Sequence, residues 1–348
     1  MTPARNPASD ANNFDLLRFC FAAIVVLVHS HILSKRPELA FLSEYLSTEL
    51  AVQAFFVASG ALVFMSYERS SSLRTYFEKR ARRILPAYVA IVLLCAFGGA
   101  FVTSLPLQRY FSGEWLRYVA ANLAFLNFLH PTLPGVFDGN PLREVNGALW
   151  TLKIEVAFYL FVPLLGWAMR RMPSLALLAA LYVLSVLYNE GLLAMQRTGG
   201  REIYAVLARQ FPGQLSYFVG GVVLYRYFGE FARHRHMLLA VAAAAFVLNW
   251  VFHIPGLRPG ALAVIVMYLA YFAPYLGNFG RYGDFSYGLY VVHFPTVQLL
   301  VAAGAFALAP AGALFAVLAI VLAVSAVFWH LIERPALKRG SHYVVATR

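Results

Sequence analysis

The stretch of sequence that decides the fold is the first long apolar segment, which reads NFDLLRFCFAAIVVLVHSHIL at residues 13–33. It is long enough to cross the ~30 Å hydrocarbon core of a bilayer, since a spanning α-helix takes about 20 residues. Two ionisable side chains, Arg18 and His29, lie inside it. Because an ionisable residue within a membrane span is costly, each of the two marks a functional site by default.

The spacing of Arg18 and His29 predicts that they share one face of a helix. They are eleven positions apart, which is about three helical turns and roughly 16 Å along the axis. The alternative is that Arg18 only extends to the lipid headgroups and His29 caps the far end of the span. His31 points to a different face of the same helix, so the two histidines are not expected to grip one metal ion together. No metal site is predicted.

Composition places the chain among polytopic helical membrane proteins. Of its 348 residues 61% are hydrophobic and only 13% are charged, whereas a soluble domain carries about 25% charged residues. The net charge of +12 would suit a nucleic-acid partner in a soluble protein. In a membrane protein, basic loops are explained first by topology and anionic lipid, so no nucleic-acid partner is expected.

About ten transmembrane helices are predicted, with no β-structure, so the fold class is all-α. Roughly two thirds of the 28 basic residues fall in loops on one side if both termini are cytoplasmic, as the positive-inside rule requires. We expect an amino-terminal segment (1–13), a membrane domain (14–335) and a cytoplasmic tail (336–348). A short amphipathic block at 115–129 is interpreted as interfacial or re-entrant. The predicted spans are 14–33, 50–67, 84–104, 148–168, 174–190, 213–228, 237–253, 260–276, 285–305 and 309–331.

A basic cluster precedes the third predicted span, which starts at ILPAY. It comprises Lys79, Arg80, Arg82 and Arg83. A cluster of this kind is typical of a cytoplasmic topology anchor. The functional alternative is a phosphate clamp, because Arg80 and Arg83 are three residues apart and share a helix face.

Polar residues interrupt two further predicted spans. In ALWTLKIEVAFY, Thr151, Glu155 and Tyr159 follow i, i+4 spacing and form a polar stripe. Glu155 either has a functional role or forms a structural pair with a lysine or arginine. In SYGLYVVHFP, one helix face carries three candidate substrate-binding residues, for which the alternative is a hydrogen-bonded core position. They are Ser286, Tyr290 and His293.

Six motifs in this order resemble the membrane acyltransferase-3 family. They are NFDLLRF with Arg18 and then His29, FFVASG, RARR before ILPAY, LWTLKIEVAFY, SYGLYVVHFP and the terminal ERP. The resemblance covers residues 14–335. The sequence departs from the family at Leu16, where glycine is commoner, and at Lys153, where a small or polar residue is usual; the latter bears on acceptor or acyl specificity. Many relatives carry a fused hydrolase-like extracytoplasmic domain, which is not expected here.

The resemblance implies an integral membrane O-acyltransferase of the bacterial inner membrane. Such enzymes move acetyl or other short acyl groups from cytoplasmic acyl-CoA to hydroxyls of surface polysaccharide, lipopolysaccharide or other glycans. It implies catalytic roles for His29 and Glu155, and donor binding by Arg18, Arg80 and Arg83. No permanently bound cofactor is expected, since acyl-CoA is a substrate.

Two rival functions follow from the residues alone. A glycan or lipid transporter would also need about ten helices and buried charges, but transporters commonly show repeated halves, and the sequence shows no such repeat. A non-enzymatic scaffold would leave four ionisable side chains in apolar segments without a purpose. These are Arg18, His29, Glu155 and His293.

Overall fold

The computed structural model describes residues 12–337, apart from the side chain of Tyr282. The predicted amino-terminal segment and carboxy-terminal tail lie largely outside these residues. The described part is helical and contains no β-strand, which confirms the all-α fold class. Eleven helices have eight or more residues. They are α1 (Phe14–Ser34), α2 (Thr48–Glu68), α3 (Leu73–Gly98), α4 (Gly113–Leu123), α5 (Trp150–Met169), α6 (Ser174–Gly199), α7 (Phe211–Arg226), α8 (Arg235–Phe252), α9 (Leu257–Tyr271), α10 (Ser286–Ala302) and α11 (Pro310–Phe328).

Each of the ten predicted spans overlaps one of these helices. Seven helical stretches are long and apolar enough to cross a membrane. The three remaining helices, α7, α9 and α10, have 16, 15 and 17 residues. The structure therefore supports a multi-pass membrane protein, while the count of ten crossings and the cytoplasmic termini stay predictions.

Helix α3 begins earlier than the sequence predicts. It starts at Leu73 rather than at position 84 and carries the whole basic cluster within its first turns. Its first half contains good helix formers such as Arg, Glu, Lys and Ala, so the helix extends beyond the apolar segment. Pro86 lies inside α3 instead of near its start.

The first part of the amphipathic block, up to Leu123, lies in α4, which has 11 residues. At 1.5 Å per residue it is about 16 Å long, too short to cross a bilayer core. It is fixed to α3 by hydrogen bonds. The Trp115 indole donates to the Ala96 carbonyl at 2.9 Å, and the Tyr88 hydroxyl donates to the Asn122 carbonyl at 2.6 Å.

The first compact unit comprises residues 12–17, Val52–Tyr76 and Ile154–Asn278. Small residues let two of its helices touch through their backbones. A Cβ atom on Gly60 of α2 would lie 2.0 Å from the Phe218 carbonyl oxygen of α7, and one on Gly221 of α7 would lie 2.1 Å from the Val57 carbonyl oxygen. This reciprocal contact is the small-residue packing expected of FFVASG.

Asn13 completes the carboxy-terminal end of α9 in the same unit. The last carbonyls of a helix have no partner within the helix. The Asn13 backbone N–H donates to the Ala270 carbonyl at 2.9 Å, and its side-chain amide donates to Leu269 and Pro274 carbonyls at 3.1 Å. Asn13 therefore anchors the chain just before α1.

The second compact unit comprises Arg18–Ala51, Phe77–Lys153 and residues 279–337. Its core includes α10, which is buried over most of its length and packs on α11. Gly288 permits this contact, since a Cβ atom there would lie 3.0 Å from the Ser325 Cβ. Every member of the site built around Arg18 and His29 belongs to this unit.

Candidate active site

Two helices of the second unit run side by side and match their ionisable residues. On α1, Arg18 and His29 lie eleven positions apart. Asp284, two residues before α10, and His293, within α10, lie nine positions apart. The Arg18 guanidinium contacts Asp284 at 2.7 Å, and the His29 ring contacts the His293 ring at 2.7 Å. Since residue numbers increase in the same direction from the first contact to the second on both segments, the two segments are parallel.

Asp284 lies at the centre of an ion cluster. Its Oδ2 atom accepts from Arg18 and from Arg83, and its Oδ1 atom accepts from the Ser286 hydroxyl at 2.5 Å and the Ser286 N–H at 3.1 Å. Burial alone would raise the pKa of this carboxyl. The two guanidinium groups and the Ser286 hydrogen bonds nevertheless hold the pKa of Asp284 well below its ordinary value, so it is a carboxylate at neutral pH.

Arg83 joins a second carboxylate to the cluster. Its other terminal nitrogen lies 3.4 Å from Glu333. Glu333 ends a π-helical turn, Trp329–Glu333, that follows α11; such turns often occur at functional sites. The side chains of Arg18 and Arg83 are 16% and 10% exposed, whereas those of Asp284 and Glu333 are 2% exposed. The arginines are thus the accessible members of the cluster.

The two histidines form a coplanar pair. Their rings are inclined by 9° with centroids 5.0 Å apart, and the contact joins His29 Nδ1 to His293 Nε2. His293 is fully buried and His29 is half-buried. Phe294 lies edge-on to His29 with centroids 5.6 Å apart. His31 is engaged elsewhere, since its Nδ1 atom lies 2.6 Å from the Ser43 hydroxyl.

The structure places the other predicted substrate-binding residues of α10 in internal contacts. The Tyr290 hydroxyl lies 2.5 Å from that of Thr151 and 3.3 Å from the Ala148 carbonyl. Ser286 bonds Asp284, as described above. Both side chains are buried, so these contacts shape the site from within. Their assignment to substrate binding stays a prediction.

Pro295 leaves a carbonyl of α10 open to a hydrogen bond from the segment that precedes α5. Proline has no N–H, so the carbonyl four residues earlier, that of Val291, lacks its helical partner. The Asn146 side-chain amide donates to that carbonyl at 2.8 Å. Gln298, one turn further, donates to the Leu142 and Glu144 carbonyls at 2.7 Å. The segment before α5 is thereby fixed against the helix that carries His293.

Glu155 belongs to the first unit. Its Oε1 atom accepts a hydrogen bond from the Ser59 hydroxyl at 2.9 Å, so FFVASG supplies a partner as well as close packing. Tyr159, one turn later on α5, is buried, and its backbone carbonyl accepts from the Tyr76 hydroxyl at 3.0 Å. The predicted polar stripe therefore exists, with Glu155 half-buried within it.

Arg80 and Arg83 both lie on α3, three residues apart as predicted. Arg83 lies in the ion cluster with Arg18. The family resemblance implies donor binding for both of these arginines. Arg82 points elsewhere and donates to the Ala336 carbonyl at 3.1 Å. Within residues 12–337 no group of three His, Cys, Asp or Glu side chains is arranged to hold a metal ion.

Sequence reasoning missed Asp284 and Glu333. Asp284 stands two residues before Ser286, at the start of an apolar segment, where the cost argument that singled out Arg18 also applies. In the sequence, Glu333 stands out only as part of the terminal ERP motif. The signal present in both cases was an acidic residue at the end of a span close to where arginines were expected.

Comparison with known proteins identifies the family. The sequence profile of the acyltransferase-3 family, described as an acyltransferase domain, matches residues 12–330. The chain is 31% identical to nodulation protein 10 of Rhizobium leguminosarum bv. viciae, over 94% of this chain and 93% of that protein. It is 25% identical to the O-acetyl transferase of Shigella phage Sf6, over 95% and 97%. No solved structure matches it significantly. The chain therefore belongs to the membrane acyltransferase-3 family of O-acyltransferases.

Proposed function

We propose that this protein transfers an acetyl or other short acyl group from cytoplasmic acyl-CoA to a hydroxyl of a surface polysaccharide, lipopolysaccharide or other glycan, in the bacterial inner membrane. The observation that carries the proposal is the arrangement along α1, in which an arginine cluster and a histidine pair are roughly 16 Å apart. The name of the phage relative, an O-acetyl transferase, favours acetyl as the acyl group and oxygen as its acceptor.

The arginine cluster suits the donor. Coenzyme A carries phosphates at one end of a long flexible arm and its thioester at the other. Arginine binds phosphate through charge-assisted and bidentate hydrogen bonds, and a guanidinium has five N–H donors. Ion pairs with Asp284 hold the guanidinium groups of Arg18 and Arg83 together in one cluster. Together with Arg80, they form our proposed phosphate site.

His29 suits the general base. Acyl transfer from a thioester requires the acceptor hydroxyl to lose a proton, and histidine is the side chain most often used near neutral pH. In the proposed step His29 takes that proton as the hydroxyl oxygen bonds to the thioester carbonyl carbon. The carbon–sulfur bond then breaks, and coenzyme A leaves as a thiol after receiving a proton.

Glu155 is proposed to orient the acceptor. Its carboxylate accepts from Ser59, and a carboxylate has capacity for several hydrogen bonds. Sugar hydroxyls are donors that it can receive. The neighbouring Tyr159 is proposed to assist in binding the acceptor. The transporter alternative has no observation in its favour once the family is known.

The experiment compares envelope glycans from bacteria with and without the gene. Mass spectrometry should show an added acyl mass on one glycan in the gene-carrying strain, and mild alkali should remove it, because O-esters are base-labile. Glycans of identical mass in both strains would contradict a glycan acceptor. An added acyl mass that remains after alkali treatment would contradict O-acylation.

A further inference from the structure

The contact between His29 and His293 fixes more than the position of two rings. A neutral imidazole has one nitrogen that donates a hydrogen bond and one that accepts. Across the 2.7 Å contact between His29 Nδ1 and His293 Nε2, one nitrogen must carry the proton and the other must be bare. The direction of this bond decides which nitrogen of His29 can act as a base.

A third contact settles the direction. His293 Nδ1 lies 2.7 Å from the Tyr290 carbonyl oxygen and 3.3 Å from that of Leu289. A carbonyl oxygen only accepts, so Nδ1 carries the proton. His293 is fully buried, and a buried imidazolium without a counter-ion is costly; the described residues form no ion pair with it. Neutral His293 therefore has a bare Nε2.

The consequence falls on His29. Since His293 Nε2 can only accept, His29 Nδ1 must donate, and the remaining nitrogen, His29 Nε2, is the unprotonated one. A free histidine side chain prefers the opposite tautomer, with the proton on Nε2. In that form, with Nδ1 turned towards His293 as it is here, the outward nitrogen would have no lone pair with which to remove a proton.

We propose that His293 is a positioning residue that holds His29 in the tautomer whose Nε2 atom is the base, a role that rests on the proposed function. When His29 takes the acceptor's proton it becomes an imidazolium, and its Nδ1–H bond to His293 becomes charge-assisted and stronger. The strengthening occurs as the charge develops, which is when it lowers the barrier. A third group that orients the base is the general logic of such sites.

The fold holds His293 in this role from several directions. Tyr290, whose carbonyl accepts the hydrogen bond from His293, is fixed through its own hydroxyl by Thr151 and Ala148. Asn146 bonds the next carbonyl, that of Val291. These contacts fix the turn of α10 from which His293 projects. The Tyr290 carbonyl that orients the His293 ring is therefore itself held in place.

Two variants of His293 separate positioning from packing. His293→Gln retains a side-chain oxygen that can accept from His29, whereas His293→Leu is of similar size and has no acceptor. We expect His293→Leu to lower kcat by about 10- to 100-fold, the scale for losing a group that orients a metal-binding histidine, with KM for acetyl-CoA unchanged. His293→Gln should recover most of kcat. His31→Leu, on another face of α1, is the matched control and should keep near-normal activity.

The kinetic readout is release of free coenzyme A from acetyl-CoA, with the cell's envelope glycan fraction as acceptor. Equal loss in both His293 variants, with poor accumulation in the membrane, would show a packing role and overturn the proposal. A raised KM for the glycan fraction with unchanged kcat would show that His293 binds the acceptor, which would also overturn it.

Nitrogen-15 NMR of the full chain in lipid bilayers tests the tautomer without any turnover. With labelled histidine, the His29 signals are assigned by their absence in His29→Gln. We expect an unprotonated Nε2 in the wild type and a protonated Nε2 in His293→Leu. A protonated Nε2 in the wild type would overturn the proposal whatever the activity. The expected signals in a protein that never consumes acyl-CoA would instead refute the proposed function and leave the positioning role standing.

Discussion

Arg18 and His29 show how costly residues in an apolar helix can be identified before their partners are known. Each was marked by its own cost, and each has a partner on or beside α10. The partners are 266 and 264 residues away in the chain, so spacing within one segment could not reveal them. His293 is a candidate from the sequence by itself, but its pairing with His29, like that of Asp284 with Arg18, depends on tertiary packing, which a single sequence does not record.

The general base is the first residue-scale prediction. His29→Ala should reduce acyl transfer by at least about 100-fold, the usual contribution of a general base, while the protein accumulates normally in the membrane. The measurement is coenzyme A release by purified protein. His31→Ala is the control, because His31 bonds Ser43 away from the pair. A comparable loss in His31→Ala would mean that the wrong histidine has been assigned.

Donor binding by the arginines is the second residue-scale prediction. Arg80→Gln and Arg83→Gln should each raise KM for acyl-CoA, and the weakened binding should worsen with salt because charges outside the deep interior are screened. Arg82→Gln is the matched control, since Arg82 lies on the same helix but donates to the Ala336 carbonyl. Unchanged KM in both test variants would return the cluster to a topology anchor.

Glu155 gives the third prediction. Glu155→Gln keeps the shape and an oxygen that can accept from Ser59, so we expect normal accumulation and normal acyl-CoA binding with a loss of transfer. Binding is measured with a non-transferable acyl-CoA analogue, and transfer by label in the glycan. A variant that fails to accumulate would instead show that the carboxylate is a structural partner of its neighbours.

At the scale of elements, hydrophobic segments predicted the helices well and their ends less well. All ten predicted spans overlap a helix. The amino-terminal end of α3 was placed late, because the polar half of that helix does not resemble a membrane segment. The amphipathic block was correctly expected to be short, and its hydrogen bonds with Ala96 and Tyr88 hold it against α3.

The contact between α2 and α7 gives a prediction about stability. Gly60→Ala should sharply reduce accumulation and lower the melting temperature in detergent, since the new Cβ would meet the Phe218 carbonyl oxygen at 2.0 Å, a backbone atom that cannot swing aside. Gly98→Ala is the control. A Cβ there has no atom within 4 Å, and alanine favours helix over glycine. Equal melting temperatures for the two variants would contradict the close approach.

At the scale of the whole molecule, ordered motifs carried more than any single residue. The order from Arg18 to the terminal ERP predicted the family, and the match over residues 12–330 confirms it. The acceptor was beyond reach, because it depends on the shape of a binding surface rather than on motifs. About half of the candidate site could be predicted. The sequence indicated its histidines and arginines, but not Asp284 and Glu333, which orient the arginines.

The central claim is that this chain is a membrane O-acyltransferase in which His29 removes the proton of the acceptor hydroxyl while arginines hold the acyl-CoA donor. The most direct measurement uses purified protein reconstituted in liposomes with acetyl-CoA labelled in the acetyl group and the envelope glycan fraction. For the wild type we predict label in the glycan that alkali removes, and release of coenzyme A in an amount equal to that label. We predict neither for His29→Ala. Label transfer by His29→Ala at the wild-type rate would contradict the account.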